Sequence, residues 1–202
     1  MNIIIPFNSI YIKKKYGANH DFINLIKDVV IPSMINRFIR DNRVESIEII
    51  SDLKPSDTIH KNKKCHFQII DIGSNLSTND VTKELLLVRK FQTEIVLQVN
   101  PLFPFISIDS LYHGFQSLVS GRNYSAVGSY INLSEVKNPV TIQQNDIGIF
   151  TGFTVSQFNS TFKRVSGPCE MIRLKAVEMI SLRNYSDFKL FELVVNSGFE
   201  IQ

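Results

Sequence analysis

The stretch Asn2-Ile3-Ile4-Ile5-Pro6-Phe7-Asn8-Ser9-Ile10-Tyr11-Ile12-Lys13-Lys14-Lys15-Tyr16-Gly17-Ala18-Asn19 decides the reading of this chain. It begins with a β-branched apolar run, the pattern of a buried strand, and Pro6 ends that run. A basic, polar segment from Asn8 to Asn19 follows, holding three consecutive lysines and Gly17. A buried strand running directly into such a segment is the start of an α/β unit. Ligands in such folds sit beyond the carboxyl ends of the strands.

The rest of the chain extends this pattern. Proline fits the first turn of a helix, so a helix is expected from Pro32 to near Asn42, with Met34, Ile35, Phe38 and Ile39 on its inner face. Residues 46–50 read as a strand ending in Ser51-Asp52. The Lys-rich stretch 54–64 is a solvated loop, and His66 to Asp71 is a third strand. Ser77 and Asp80 make a capping-box-like helix start, followed by Val81, Leu85 and Val88. Residues 94–99 are a strand running into Asn100-Pro101. Ser107 or Asp109 caps the next helix, whose apolar face is Leu111, Phe115, Leu118 and Val119, and Gly121 stops it. Val127 to Leu133, Gly148 to Val155 and Ala176 to Leu182 read as further strands. Asn184 and Asp187 start a final helix with Phe188, Phe191 and Val195 inward. Strand and helix alternate through the first 120 residues. The expected fold is therefore α/β, a mixed and mostly parallel sheet with helices on both faces.

Composition narrows the function classes. The chain has 202 residues, 44% hydrophobic and 20% charged, with 15 Phe and no Trp. This is globular composition for one domain, expected over 1–202, with an aromatic interior. The net charge of +3 is too small to argue for nucleic acid. No stretch approaches the roughly 20 apolar residues of a membrane helix, and the apolar N-terminal run is too short for a secretory signal. A cytoplasmic protein with no nucleic-acid and no membrane partner is expected. Cys65 and Cys169 are far apart and outside any C-x-x-C pair, so they read as buried free thiols.

The candidate site residues are those at strand ends. Lys13 and Lys14 could neutralise a polyphosphate, or simply belong to a solvated basic loop. The segment has neither the G-x-x-x-x-G-K nor the G-x-G-x-x-G spacing. Asp52 and Asp71 could hold a metal, or could cap turns.

Order and spacing over nearly the whole chain resemble the acylneuraminate cytidylyltransferases, the synthetases of CMP-linked sialic-type sugars. The resemblance lies in the strand, proline and Lys-containing loop closed by Asn19, then Val30-Ile31-Pro32-Ser33-Met34-Ile35 and Ile49-Ile50-Ser51-Asp52. It continues through Leu76-Ser77-Thr78 and Asn100-Pro101-Leu102-Phe103-Pro104-Phe105. It implies a nucleotide-diphosphosugar-transferase-like fold and transfer of CMP from CTP to a nonulosonic-type sugar acid, with Mg²⁺ as cofactor. It also implies a role in activating sugars for surface polysaccharide, and a homodimer formed through an excursion at 134–165, where Val140, Ile142, Phe158 and Phe162 look exposed.

Carried over residue by residue, the resemblance gives Lys13 and Lys14 catalytic roles on the phosphates. Asn8 and Asn19 orient the nucleotide, Ser77 or Thr78 reads the cytosine, and Asn100 faces the sugar. The family's Arg-Gly-Gly in the first loop is absent. Its two late metal carboxylates correspond to Ser181 and Arg183, and Arg183 could place fixed positive charge where the metal sits. Asp52 and Asp71 are the alternative metal carboxylates. The second implied reading is a catalytically silent relative that binds a sugar or nucleotide, or serves as a partner subunit.

Overall fold

The computed structural model describes residues 1–54, 63–69, 94–129 and 149–197. Next to the middle strand of its sheet is β1 (Asn2–Phe7), whose six residues are all buried. The uninterrupted Ile3-Ile4-Ile5 run fits this place because a strand covered on both faces has no use for polar alternation. Pairing outward, the sheet has the order β3 (Cys65–Ile69), β2 (Ser46–Ser51), β1, β4 (Ile95–Val99), β6 (Phe150–Thr154), β5 (Ser125–Ser129), β7 (Cys169–Arg173). β1 is parallel to β2 and β4, β2 to β3, and β5 to β7, while β6 runs antiparallel to both its neighbours. The expected mixed, mostly parallel sheet is the observed one.

Helices cover both faces. Phe150 points to one side, where its ring packs against Gly114 of α4 (Ile108–Val119), numbered here after the three helices described next. Phe153, three residues on, points to the other side, and its ring lies 5.2 Å from that of Phe158 in α5 (Val155–Thr161). Space is tightest around Phe150. A Cβ built on Gly128 would stand 2.2 Å from its ring, so this β5 position admits no side chain.

The segment after β1 is a helix, not the expected loop. α1 spans Ser9–Tyr16. Asn8 caps it by accepting from the Tyr11 N–H at 2.8 Å, and Gly17 ends it with φ of 62°, a left-handed conformation suited to glycine. Lysines between such stops are good helix formers. The next helix starts earlier than Pro32 predicts. α2 (His20–Leu25), capped by Asn19, runs through a π-turn (Ile26–Val30) into α3 (Ile31–Phe38). Pro32 has no N–H for an i−4 bond. The wide turn, in which the Ile31 N–H reaches the Ile26 carbonyl, carries the helix past it. Met34, Ile35 and Phe38 are buried as expected.

The late strand is also corrected. Ala176–Met179 is a 3₁₀ turn, and the edge strand is β7, which begins seven residues before that turn does. The reason is Glu178. Its fully buried carboxylate accepts from the Lys175 N–H at 2.7 Å and from the Ser107 N–H at 2.8 Å, closing the turn onto the start of α4. The final helix, α6 (Tyr185–Asn196), is capped by Asn184 and buries Phe188 and Phe191, but Val195 is exposed. Val119 of α4 is exposed as well, while Ser107 is the α4 cap and Gly121 follows it with φ of 70°. β5 starts at Ser125, two residues before the predicted Val127. Within 134–165, Phe158 is buried and Phe162 is exposed, while Val140 and Ile142 lie outside the described residues. The helix expected at Ser77 also lies outside them. Both cysteines are free and half-buried.

Candidate functional site

The strand order places a topological switch beside β1. The chain moves from β1 to β2 and β3 on one side, then returns to β4 on the other. A crevice opens where the order reverses, and ligands of open α/β sheets bind there. Pro6 lies at that point. It contributes no N–H to a ladder. The β1–β2 pairing continues to Phe7 with Ser51, whereas the β1–β4 pairing stops at Ile4 with Gln98. The carboxyl ends of β1 and β4 therefore part, and each is followed at once by an asparagine.

Asn8 and Asn100 are the two lips of the opening, and both are buried. Asn8 uses its Oδ1 on the Tyr11 N–H. Asn100 accepts from the Leu102 N–H at 3.0 Å through its Oδ1 and donates its own N–H to the Ile149 carbonyl at 3.0 Å. With Oδ1 engaged, each side chain turns its Nδ2 amide donors to another direction. Each of these uncharged amides is thus fixed through its oxygen at a strand end.

Ser51-Asp52 ends the neighbouring strand. Ser51 Oγ accepts from the Leu53 N–H at 3.0 Å. Asp52 faces the start of α1. The Ser9 N–H donates to both carboxylate oxygens, at 2.9 and 3.1 Å, and the Ser9 hydroxyl donates to Oδ2 at 2.5 Å. Anions are favoured at a helix N-terminus, and here the protein supplies its own.

The other sequence-predicted residues fall into three groups. Lys13 and Lys14 are exposed on the second turn of α1. Asn19 caps α2 through its Oδ1, accepting from the Phe22 N–H at 2.9 Å. Arg183 is exposed and adjoins the segment after β4, because the Leu182 N–H donates to the Leu102 carbonyl at 2.7 Å. Ser181 and Arg183 lie on no strand, so the positions matched to the family's metal carboxylates are not presented by a sheet end. The Arg183 N–H instead bonds Asp187 at 2.8 Å. Asp71, Ser77 and Thr78 lie outside the described residues.

Two arginines escaped the sequence reading. Arg164 donates from Nη1 to Gln98 Oε1, at 3.0 Å, one strand position before Val99. Burial pushes its pKa down to about 10. Arg37 donates to the Pro104 carbonyl and, at 3.4 Å, to the Ile106 carbonyl, pinning the Asn100–Ile106 segment. Burial takes its pKa to about 10 as well. Neither had a local sequence signal, since each is placed by partners more than 60 residues away along the chain.

Mg²⁺ requires a near-octahedral set of oxygens. Asp52 is already held by three contacts from Ser9, and among the described residues no three His, Cys, Asp or Glu side chains gather to hold a metal. The described donors do not fit Mg²⁺. No described helix is long and apolar enough to cross a membrane.

No family model matches the sequence, and no curated protein matches it. Solved structures do match in fold. The 4-diphosphocytidyl-2C-methyl-D-erythritol synthase of Anaerococcus prevotii aligns with a TM-score of 0.67 at 12% identity, covering 96% of this chain and 97% of that one. The 2-C-methyl-D-erythritol 4-phosphate cytidylyltransferase of Francisella tularensis gives 0.63 at 12%, with 95% and 98% covered. A Mycobacterium tuberculosis rv0371c homologue from Mycobacterium sp. strain JC1 gives 0.62 at 13%, with 96% and 98% covered. The chain has the nucleotide-diphosphosugar-transferase-like fold of the first two of these structures.

Proposed function

We propose that this chain is a cytidylyltransferase-like protein of the cytoplasm that takes a cytidine nucleotide and a nonulosonic-type sugar acid at the carboxyl edge of its sheet. The observation that carries the reading is the opening between β1 and β4, lipped by Asn8 and Asn100, in a fold shared with cytidylyltransferases. Asn8 donates to the nucleotide and Asn100 to the sugar, while Lys13 and Lys14 draw phosphate by charge. Asn19, Ser77 and Thr78 complete the nucleotide contacts, and Arg183 lies on the sugar side. The reaction is attack of a sugar hydroxyl on the α-phosphate of CTP. The new oxygen–phosphorus bond forms, the bond to the bridging oxygen breaks, pyrophosphate leaves, and the hydroxyl proton passes to water. Catalysis of this kind is positioning plus charge neutralisation. The setting is sugar activation for surface polysaccharide.

A second reading, a catalytically silent relative, is favoured by one observation: the segment after β1 is a side-chain-bearing helix sealed by Asp52, where close backbone approach to phosphate would call for glycine.

Thermal shift decides between cytidine recognition and none. Cytidine and CMP raise the melting temperature and their uridine counterparts do not. Equal or absent shifts for the two bases refute the reading. Pyrophosphate release from CTP with a panel of sugar acids then measures turnover, which is expected to be very weak. We also place a twofold dimer contact in 134–165, around Phe162. Light scattering at micromolar concentration is expected to give twice the chain mass, and a monomer mass contradicts it.

A further inference from the structure

We infer that Arg164 is a phosphate-binding residue of the candidate site, reaching to the opening between β1 and β4 to hold the phosphate chain of the nucleotide. This role rests on the cytidine nucleotide proposed above.

α5 and the turn after it leave the sheet at Thr154 and rejoin it at Cys169. Both points lie at the amino edge, since Thr154 pairs with Ile95, the first residue of β4, and Cys169 with Ser125, the first residue of β5. Arg164 sits within this excursion, and its long side chain spans the distance toward the other edge. Its Nη1 donates to Gln98 Oε1 at 3.0 Å. Gln98 pairs with Ile4 at the last level where β1 and β4 are joined, so the guanidinium stands at the base of the opening. The Tyr11 phenol, on the helix that follows β1, is close enough to act on its charge.

The backbone on both sides of Arg164 is tied down. Phe162 has a left-handed φ of 52°, unlike any other non-glycine residue described, and its N–H donates to the Phe158 carbonyl at 2.7 Å. Thr161 Oγ1 accepts from the Lys163 N–H at 3.2 Å, and the Ser125 hydroxyl donates to the Ser166 carbonyl at 3.4 Å. A side chain aimed from a fixed turn loses less freedom on meeting an anion than one on a loose loop.

An amide oxygen carries no net charge, so the Gln98 bond orients the guanidinium and leaves it cationic. Its pKa of about 10 keeps it protonated at neutral pH. Arg164 is half-buried, whereas Lys13 and Lys14 are exposed. Less water screens the half-buried charge, and its planar fork matches two phosphate oxygens at once. Asp52 gives the opening a polarity. It follows β2, which lies across β1 from β4, and its carboxylate is held there by Ser9. Phosphates are repelled on that side and drawn to the β4 side, where Arg164 stands. In the first turn of α1 the N–H groups of Ser9, Tyr11 and Ile12 are hydrogen-bonded. That of Ile10 has no hydrogen bond among the described residues and is left as a second donor to a phosphate oxygen.

Calorimetric titration of the full chain at fixed low salt tests this. Cytidine, CMP, CDP, CTP and inorganic pyrophosphate are titrated into the wild type, Arg164→Gln, Gln98→Glu and Arg122→Gln. On the wild type, CTP is expected to bind about tenfold or more tightly than cytidine, the gain of one charge-assisted hydrogen bond, and equal affinities overturn the inference. Arg164→Gln is expected to lose that gain while binding cytidine as the wild type does. Gln98→Glu keeps Arg164 in place and sets a carboxylate against it, so it is expected to lose the gain too, and it decides the matter should Arg164→Gln fail to fold. Arg122→Gln removes the same charge from an exposed position ahead of β5 and is expected to keep the gain. A folded Arg164→Gln or Gln98→Glu with the wild-type ratio of CTP to cytidine affinity overturns the inference, as does an equal loss in Arg122→Gln. If no cytidine compound binds the wild type, the proposed function fails. Pyrophosphate binding about tenfold weaker in Arg164→Gln than in the wild type then still supports Arg164 as an anion-binding residue, and equal pyrophosphate binding overturns that as well.

Discussion

Single side chains at the strand ends do two jobs at once. Asn8 caps α1 with its oxygen and offers its amide to the opening. The two roles separate in Asn8→Ser. Serine is an equally good cap, so urea unfolding should move by less than about 0.5 kcal/mol. The lost amide should weaken cytidine binding by about tenfold, or about 1.4 kcal/mol. A variant that loses stability and keeps binding would assign Asn8 to capping alone. Glu178 is a different case, a buried carboxylate with a structural task. Burial alone would raise its pKa. The hydrogen bonds from Ser107, Lys175 and Ser110 outweigh that and hold it below the ordinary glutamate value. A depressed folded pKa stabilises the protein at pH above the unfolded value, and that stabilisation is lost as pH falls through the folded one. Glu178→Gln should therefore cost on the order of 2 kcal/mol at pH 7. The difference from wild type should shrink as pH drops below about 4.3. Urea melts of both proteins at pH 7 and pH 3 measure it, and a pH-independent difference contradicts the assignment.

Elements show where the sequence was readable and where it was not. β1, β2 and β4 were legible because a buried parallel strand is a short unbroken apolar run, and the caps at Ser107 and Asn184 were legible because their side chains act locally. α1 was not. Lys13-Lys14-Lys15 carries no apolar face to mark a helix, and its formation depends on Asn8, Gly17 and Asp52, the last of which is 43 residues away from Ser9. β7 was missed and Ala176–Leu182 taken for a strand for a similar reason. The 3₁₀ turn is set by Glu178 reaching Ser107, 71 residues away, and no window of local sequence contains that bond. The packing of α4 on the sheet is set by Phe150 filling the space left by Gly114 and Gly128. Gly128→Ala drives a Cβ into that ring and should destabilise by about 1–3 kcal/mol, read as a lower urea midpoint. An unchanged midpoint would mean the ring has room to move.

At the scale of the whole molecule, the site follows from topology more than from any motif. A sheet whose seven described strands reverse their winding beside β1 places the ends of β1, β2 and β4 together, and Pro6 keeps β1 and β4 from pairing to their tips. The prolines and asparagines that build this edge were visible in the sequence as Pro6, Asn8 and Asn100-Pro101. Their meeting across more than 90 residues was legible only through the expected parallel order. Arg37 and Arg164, both half-buried, were not legible at all, because a guanidinium is placed by its distant partner. The proposed function requires that ligand enter between β1 and β4. Hydrogen-exchange mass spectrometry with and without millimolar cytidine tests it most directly. Slowed exchange confined to residues 7–12, 51–54 and 100–104 is the predicted result. Protection at the opposite edge, around Ser125 and Cys169, with none at these three segments, would contradict it.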